Sequence, residues 1–132
     1  MPLDELFDAA ARARANAHAP YSKFRVGAAV RAASGRIYAG CNVENAAYPA
    51  TLCAEAGAIA AMIAGGDTAI AEVLVIGSGA ALVTPCGACR QRIREFSADS
   101  APIHIAGPEG RRAVFTLGEL LPQSFGPDNL KP

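Results

Sequence analysis

Three thiols and one carboxylate stand at spacings that can do chemistry: Cys53-Ala54-Glu55, and further along Pro85-Cys86-Gly87-Ala88-Cys89. Thiolates are soft ligands that suit a zinc ion. A structural zinc site is closed by four protein ligands, whereas a catalytic one keeps a position for water. Three cysteines, with a carboxylate two residues from the first, fit the open arrangement. Pro85 and Gly87 mark the mouth of a helix, where unsatisfied backbone N–H groups favour thiolate charge. Cys53 falls at the start of the preceding helix, so two helix ends side by side at a sheet edge make a three-thiolate cup. At a separation of two, Glu55 does not share a helix face with Cys53. It is placed to meet water rather than to bind the ion.

Other readings of these residues are weaker. A lone C-x-x-C can be a redox dithiol, but Cys86-Gly87-Ala88-Cys89 lacks the βαβ context of one. Cys41 could complete a four-cysteine structural site, yet it sits in a strand run and reads better as a small buried apolar residue. His18 caps a helix end and His104 alternates within a strand, so ordinary structural roles suit both. A carboxylate at a helix N-terminus is favourable anyway. Glu55 is nevertheless the one charge on an otherwise apolar helix. Burying it without a task is costly, so a catalytic duty is the better account.

These groups need a frame. The 132 residues fit one domain, 1–132, large enough for a core without disulfides. Twelve basic and twelve acidic side chains cancel, and the longest basic run is Arg111-Arg112, read as a solvated turn. No nucleic-acid footprint exists in such a chain. No apolar stretch approaches the roughly 20 residues that span a membrane. The start, Met1-Pro2-Leu3-Asp4-Glu5, is acidic where a signal peptide is basic. A cytoplasmic protein with free thiols is expected, its cysteines serving metal or catalysis.

Leu3, Leu6, Phe7, Ala10, Ala13 and Ala17 follow helical spacing, predicting a helix from about Leu3 to His18 stopped by Pro20. Val26 to Ala32 and Ile37 to Val43 predict a hairpin about the Ser34-Gly35 turn. A second helix starts near Thr51 and ends at Gly65-Gly66. Glu72 to Gly77 is a strand, a third helix opens near Cys86, and Ile103–Ile105 and Val114–Thr116 are further strands. Thr116 and Glu119 resemble a capping box for a short last helix, Gly118 to Leu121. The residues from Pro122 onward look irregular. The alternation predicts an α/β protein, a mixed sheet with helices on both faces. From Ala56 to Ala64 the second helix carries no charge, and a helix apolar all round must be buried all round. One face can meet the sheet and the other needs another subunit, so an oligomer is expected.

The motifs carry a resemblance. Cys53-Ala54-Glu55 followed by Pro85 to Cys89 resembles the zinc-dependent deaminases. Ala19-Pro20-Tyr21-Ser22-x-Phe24, Gly40-x-Asn42-Val43-Glu44-Asn45-Ala46-Ala47-Tyr48-Pro49, Cys89-Arg90-Gln91 and Leu120-Leu121-Pro122-x-x-Phe125 extend it to the small homotetrameric cytidine deaminases, over nearly the whole chain. The resemblance implies a three-layer α/β/α fold with a mixed five-stranded sheet, and hydrolytic deamination of cytidine and deoxycytidine in pyrimidine salvage. It implies one Zn²⁺ per subunit on Cys53, Cys86 and Cys89, activating water near neutral pH, with Glu55 as the proton carrier. Asn42 and Glu44, at alternate positions of a strand end, would hold the ribose; the plain alternative is a strand end decorated with turn formers. Phe24 would pack on the pyrimidine, and Ala54 would offer its backbone N–H to the base. Ala46, Tyr48 and Phe125 match positions that reach a neighbouring subunit's site. For Phe24 and Phe125 alone, core packing would be the default.

A polynucleotide-editing deaminase is disfavoured by the zero net charge and the sugar clamp, and a zinc-stabilised scaffold by Glu55 and the missing fourth ligand. An aminohydrolase for a nucleoside antibiotic such as blasticidin S shares the zinc motifs, but Asn42 to Asn45 and Phe125 favour cytidine. One position departs from the pattern. Many members carry Arg directly after the catalytic Glu, where it offsets the net charge of minus one left by three thiolates on Zn²⁺. Here Ala56 stands in that place. The two helix N-termini are expected to carry most of the compensation, with Arg90 adding to it. The alternative for Arg90 is an ordinary surface or intersubunit ion pair.

Overall fold

The computed structural model describes residues 2–131, so both ends of the 1–132 reading, Met1 and Pro132, lie outside the described residues. The elements run α1 (Pro2–Ala15), β1 (Gly27–Ala32), β2 (Ile37–Cys41), α2 (Ala54–Ala64), β3 (Ile70–Ile76), α3 (Gly87–Phe96), β4 (Pro102–Gly107), β5 (Gly110–Thr116) and α4 (Leu117–Leu120). Five strands form one sheet in the order β2-β1-β3-β4-β5. It is mixed: β3 and β4 are parallel, joined through α3, while every other neighbouring pair is antiparallel.

Strand alternation sends side chains to two separate cores. On one face Ala28, Val30, Val73, Val75, Ile103 and Ile105 pack with Ala58 and Met62 of α2, Ile93 of α3 and Leu117 of α4. On the other, Ala29, Leu74, Ile76 and Ala106 meet Leu6 and Ala10 of α1. Helices therefore cover both faces, as the three-layer reading requires.

Several boundaries move, each for a tertiary reason. α1 ends at Ala15 rather than His18, because the His18 backbone pairs with the chain after β2: its N–H donates to Asn42 O, and its carbonyl accepts from the Glu44 N–H. His18 thus sits in an isolated bridge with Val43 instead of capping a helix. β2 stops at Cys41, and α2 starts at Ala54 rather than near Thr51, since Leu52 is bridged to Val43. Arg111-Arg112 lies in β5, not in a solvated turn. Arg112 donates to Glu109, Gly79 O and Ala81 O. The tail from Pro122 contains a short 3₁₀ turn, Pro127–Leu130. The capping box at Thr116 is present, with Thr116 Oγ1 accepting from Glu119 N and Glu119 Oε1 accepting from Thr116 N.

The glycine pair that seats α2 on β2 positions the chemistry. A Cβ on Gly40 would lie 2.5 Å from Ala58 N and 2.7 Å from Ala54 O. Gly57 of α2 faces the Gly40 Cα in turn. Helix and strand backbones touch here, which sets the height of Cys53 and Glu55 above the sheet. We expect Gly40→Ala to cost about 1–3 kcal/mol through overpacking, read as a lower melting temperature by circular dichroism. An unchanged melting temperature would mean that α2 can move off the sheet freely.

Candidate active site

Cys53 and Cys86 are the N-cap residues of α2 and α3, both in extended backbone conformation. The helical residues that follow turn their N–H groups toward the same opening. Cys89 comes from the first turn of α3. The three sulfurs all lie within 4.8 Å of one another, with Cys53 Sγ and Cys86 Sγ 4.0 Å apart. Tetrahedral zinc with bonds of about 2.3 Å needs sulfurs roughly 3.8 Å apart, so the cup fits the ion with small adjustment. Cys41 is not part of the cluster, which excludes the four-cysteine alternative among the described residues.

Burial grades the three thiols: Cys86 is exposed, Cys53 intermediate and Cys89 fully buried. Burial, followed by the charges of Glu55 and the other two thiols, pushes the Cys89 thiol far up. Burial and then Cys86 raise Cys53. Burial also pushes Cys86 up, but the backbone N–H and side chain of Cys89 and the Cys53 side chain outweigh it and leave Cys86 below the usual thiol range. A metal that binds only thiolates supplies the charge these groups otherwise lack.

Glu55 is 5% exposed in the first turn of α2. Its burial raises its pKa above the ordinary carboxylate range, with its own backbone N–H, Cys89 and Arg92 pulling partly the other way. A raised carboxylate suits a group that must both take and give a proton. A cavity of about 210 Å³ opens on the cup, lined by Asn42, Leu52, Cys53, Ala54, Glu55, Thr84 and Cys86 among others. A second cleft of about 470 Å³ shares Thr51 with it and is lined by Tyr21, Ser22, Glu44, Asn45 and Tyr48.

Asn42 and Glu44 reach the same segment, residues 21–26. Asn42 Oδ1 accepts from Val26 N and its Nδ2 donates to Phe24 O. An amide can make four hydrogen bonds, so one N–H and one lone pair stay free for a ligand. Glu44 Oε1 accepts from the N–H groups of Tyr21 and Ser22, and Oε2 from the Ser22 hydroxyl. That hydroxyl, backed by these two N–H groups, holds the Glu44 carboxylate below its usual pKa despite some desolvation. Ser22 Oγ also accepts from Phe24 N, so a single serine ties Glu44 to the Phe24 segment. Ser22 stands in a motif noted above, but nothing in its residue type singles it out as this hub.

The remaining candidates lie apart. Phe24 is 40% exposed and lines neither cavity. Ala46 is exposed, and Phe125 lies on the surface, where its carbonyl accepts from Gln91 Nε2. Tyr48 is exposed at the rim and makes an edge contact with Tyr21. His104 is a buried structural residue between Glu72 and Arg111. Arg90 departs from expectation. Its guanidinium donates to Pro85 O, Leu120 O and Thr84 Oγ1, fixing the loop that carries Cys86 and touching oxygens rather than a sulfur. The arginine on the thiols is Arg92, whose Nη1 donates to Cys89 Sγ at 3.4 Å. Its separation of three from Cys89 on a helix was the available signal.

A mixed sheet with two helix mouths converging on three thiols and a buried glutamate defines a metal-dependent hydrolytic site. Residues 1–105 match the family model for the cytidine and deoxycytidylate deaminase zinc-binding region. The cytidine deaminase of Sporosarcina psychrophila is 40% identical over 98% of this chain and 96% of its own. That of Mycobacterium tuberculosis is 45% identical over 92% of this chain and 87% of its own. The crystal structure of cytidine deaminase from Burkholderia pseudomallei superposes with a TM-score of 0.88 at 38% identity, covering 95% of this chain and all of that one. The chain belongs to the cytidine and deoxycytidylate deaminase family, and its three-thiol cup is consistent with the zinc-binding region that this family model describes.

Proposed function

We propose that the protein hydrolyses cytidine and deoxycytidine to uridine and deoxyuridine with release of ammonia, in pyrimidine salvage. The observation that carries the reading is a buried, proton-competent Glu55 beside a three-thiol cup that opens on a cavity edged by Asn42. Cys53, Cys86 and Cys89 would hold Zn²⁺, which supplies an activated water at neutral pH. Glu55 then moves protons: one carboxylate oxygen takes a proton from the attacking water and delivers it to N3 of the pyrimidine. As oxygen adds to C4 the ring passes through a tetrahedral intermediate. Glu55 takes the remaining hydroxyl proton and gives it to the exocyclic nitrogen as the C4–N bond breaks. The backbone N–H of Ala54, at the cavity wall, would orient the base, and Phe24 would close over it once the substrate is seated.

Asn42 and Glu44 hold the sugar in this reading. Their unused hydrogen-bonding capacity points from a segment already fixed by Ser22 and Val26, so little ordering remains to be done on binding. Glu44→Ala removes a charged partner of the sugar and frees the Tyr21-Ser22 turn. A hydrogen bond to a charged group is worth about 1.5–3 kcal/mol, so kcat/KM for cytidine should fall roughly 10- to 100-fold, mainly through KM. A fall in kcat alone would argue against a sugar contact.

The same reading makes the molecule a homotetramer with shared active sites, in the cytoplasm, acting on free nucleosides rather than on nucleic acid or at a membrane. Support comes from apolar surface that a single chain leaves open: Tyr48 at 73%, Phe125 at 58% and Ile63 of α2 at 42% exposure. Among the described residues no helix is long and apolar enough to cross a membrane. The decisive test is an ultraviolet assay on cytidine with zinc quantified per subunit. Unchanged cytidine absorbance in fully loaded protein would overturn the assignment.

A further inference from the structure

We propose that Arg92 is a positioning residue of the metal centre, its guanidinium offsetting the surplus negative charge of three thiolates around a divalent ion. The inference rests on the zinc reading of Cys53, Cys86 and Cys89 and assigns a role to a residue outside that ligand set. Three thiolates and Zn²⁺ sum to minus one, and Ala56 places no cation beside Glu55. Arg90, the nearer candidate in sequence, spends its guanidinium on three oxygens of Thr84, Pro85 and Leu120. Arg94 turns away to Ser124 and Asp99. Arg92 alone of the three directs an N–H at a ligand sulfur, 3.4 Å from Cys89 Sγ.

The choice of sulfur is informative. Cys89 is fully buried, while Cys53 and Cys86 retain contact with solvent and sit at N-cap positions. Water and helix ends can spread the charge of those two. Charge on Cys89 is the least screened, and a cation on it acts most strongly there. The helix makes the contact cheap to keep: a separation of three places Arg92 on the same side of α3 as Cys89. The Arg92 charge is also felt at Cys53, Cys86 and Glu55. The device differs from an arginine following the glutamate, since it enters from α3 and leaves the α2 face at Ala56 small.

Partners of this kind typically change metal affinity by about 10- to 100-fold when removed. Because the Arg92 side chain is partly exposed, the low end, about tenfold, is expected. The test is zinc affinity by chelator competition in wild type, Arg92→Gln and Arg92→Lys, with melting of each metal-free protein as a control. Arg92→Gln should bind zinc about tenfold more weakly, Arg92→Lys should recover most of the loss, and metal-free melting should be unchanged. Wild-type affinity in Arg92→Gln overturns the proposal, as does an equal loss in Arg92→Lys, because then charge is not what matters. A loss that tracks lower metal-free melting assigns Arg92 to folding and also overturns it. A wild-type chain that bound no zinc would refute the underlying metal reading, and the wild-type titration reveals this before any variant is compared.

Discussion

Glu55→Gln should keep one zinc per subunit and lose about 10⁴-fold in kcat. Glutamine preserves the size of the side chain and its place in the first turn of α2, and the three sulfurs are untouched. What disappears is the capacity to carry a proton. General acid–base catalysis is worth typically about 10²–10⁴ in rate, and the upper end applies because one carboxylate serves two transfers. The loss corresponds to about 5 kcal/mol of transition-state stabilisation. The site is built for this group: it is 5% exposed, and desolvation lifts its pKa. Steady-state kinetics on cytidine, with zinc measured on the same sample, check the expectation. Turnover near wild type would assign the proton transfers to another residue. Loss of zinc together with activity would instead make Glu55 a support of the metal site.

The sequence made the three-thiol cluster legible because metal chemistry fixes residue type and spacing tightly. Cys53, Cys86, Cys89 and Glu55 come from two helix mouths whose breakers, Pro85 and Gly87, are visible in the chain. The mixed sheet followed from the alternation of elements, and the α4 cap from Thr116 and Glu119. What stayed hidden depends on partners distant in sequence. α1 ends short of its helical spacing because residues 18 and 43 pair backbone to backbone, an interaction with no side-chain signature. Arg90 and Arg92 are both basic and both close to Cys89, and only the positions of Leu120 O and Thr84 Oγ1 send Arg90 away from the sulfur. Ala46, Tyr48 and Phe125 are exposed on the single chain, and the roles proposed for them would need a neighbouring subunit that no residue type announces.

Cys86→Ala should abolish stoichiometric zinc and, with it, deamination. Two sulfurs cannot hold the ion at the affinity of three, and the N-cap of α3 loses an exposed group that lines the cavity. Cys86 is exposed, so alanine leaves no buried void and the metal-free fold should survive. This makes the variant a clean probe of how metal and stability are linked. A ligand that binds only the folded chain stabilises it by about 4 kcal/mol at a thousand times its dissociation constant. Wild-type protein should therefore melt on the order of ten degrees or more lower after chelation, at roughly 2–8 °C for each kcal/mol lost. Cys86→Ala should melt where chelated wild type does and ignore the chelator. Calorimetry with and without chelator, alongside zinc analysis, distinguishes the outcomes. A Cys86→Ala protein that still carried one zinc per subunit would show that the ligand set is not Cys53, Cys86 and Cys89. A variant that unfolded without metal involvement would move Cys86 from the metal to the helix mouth, making its cap the dominant contribution.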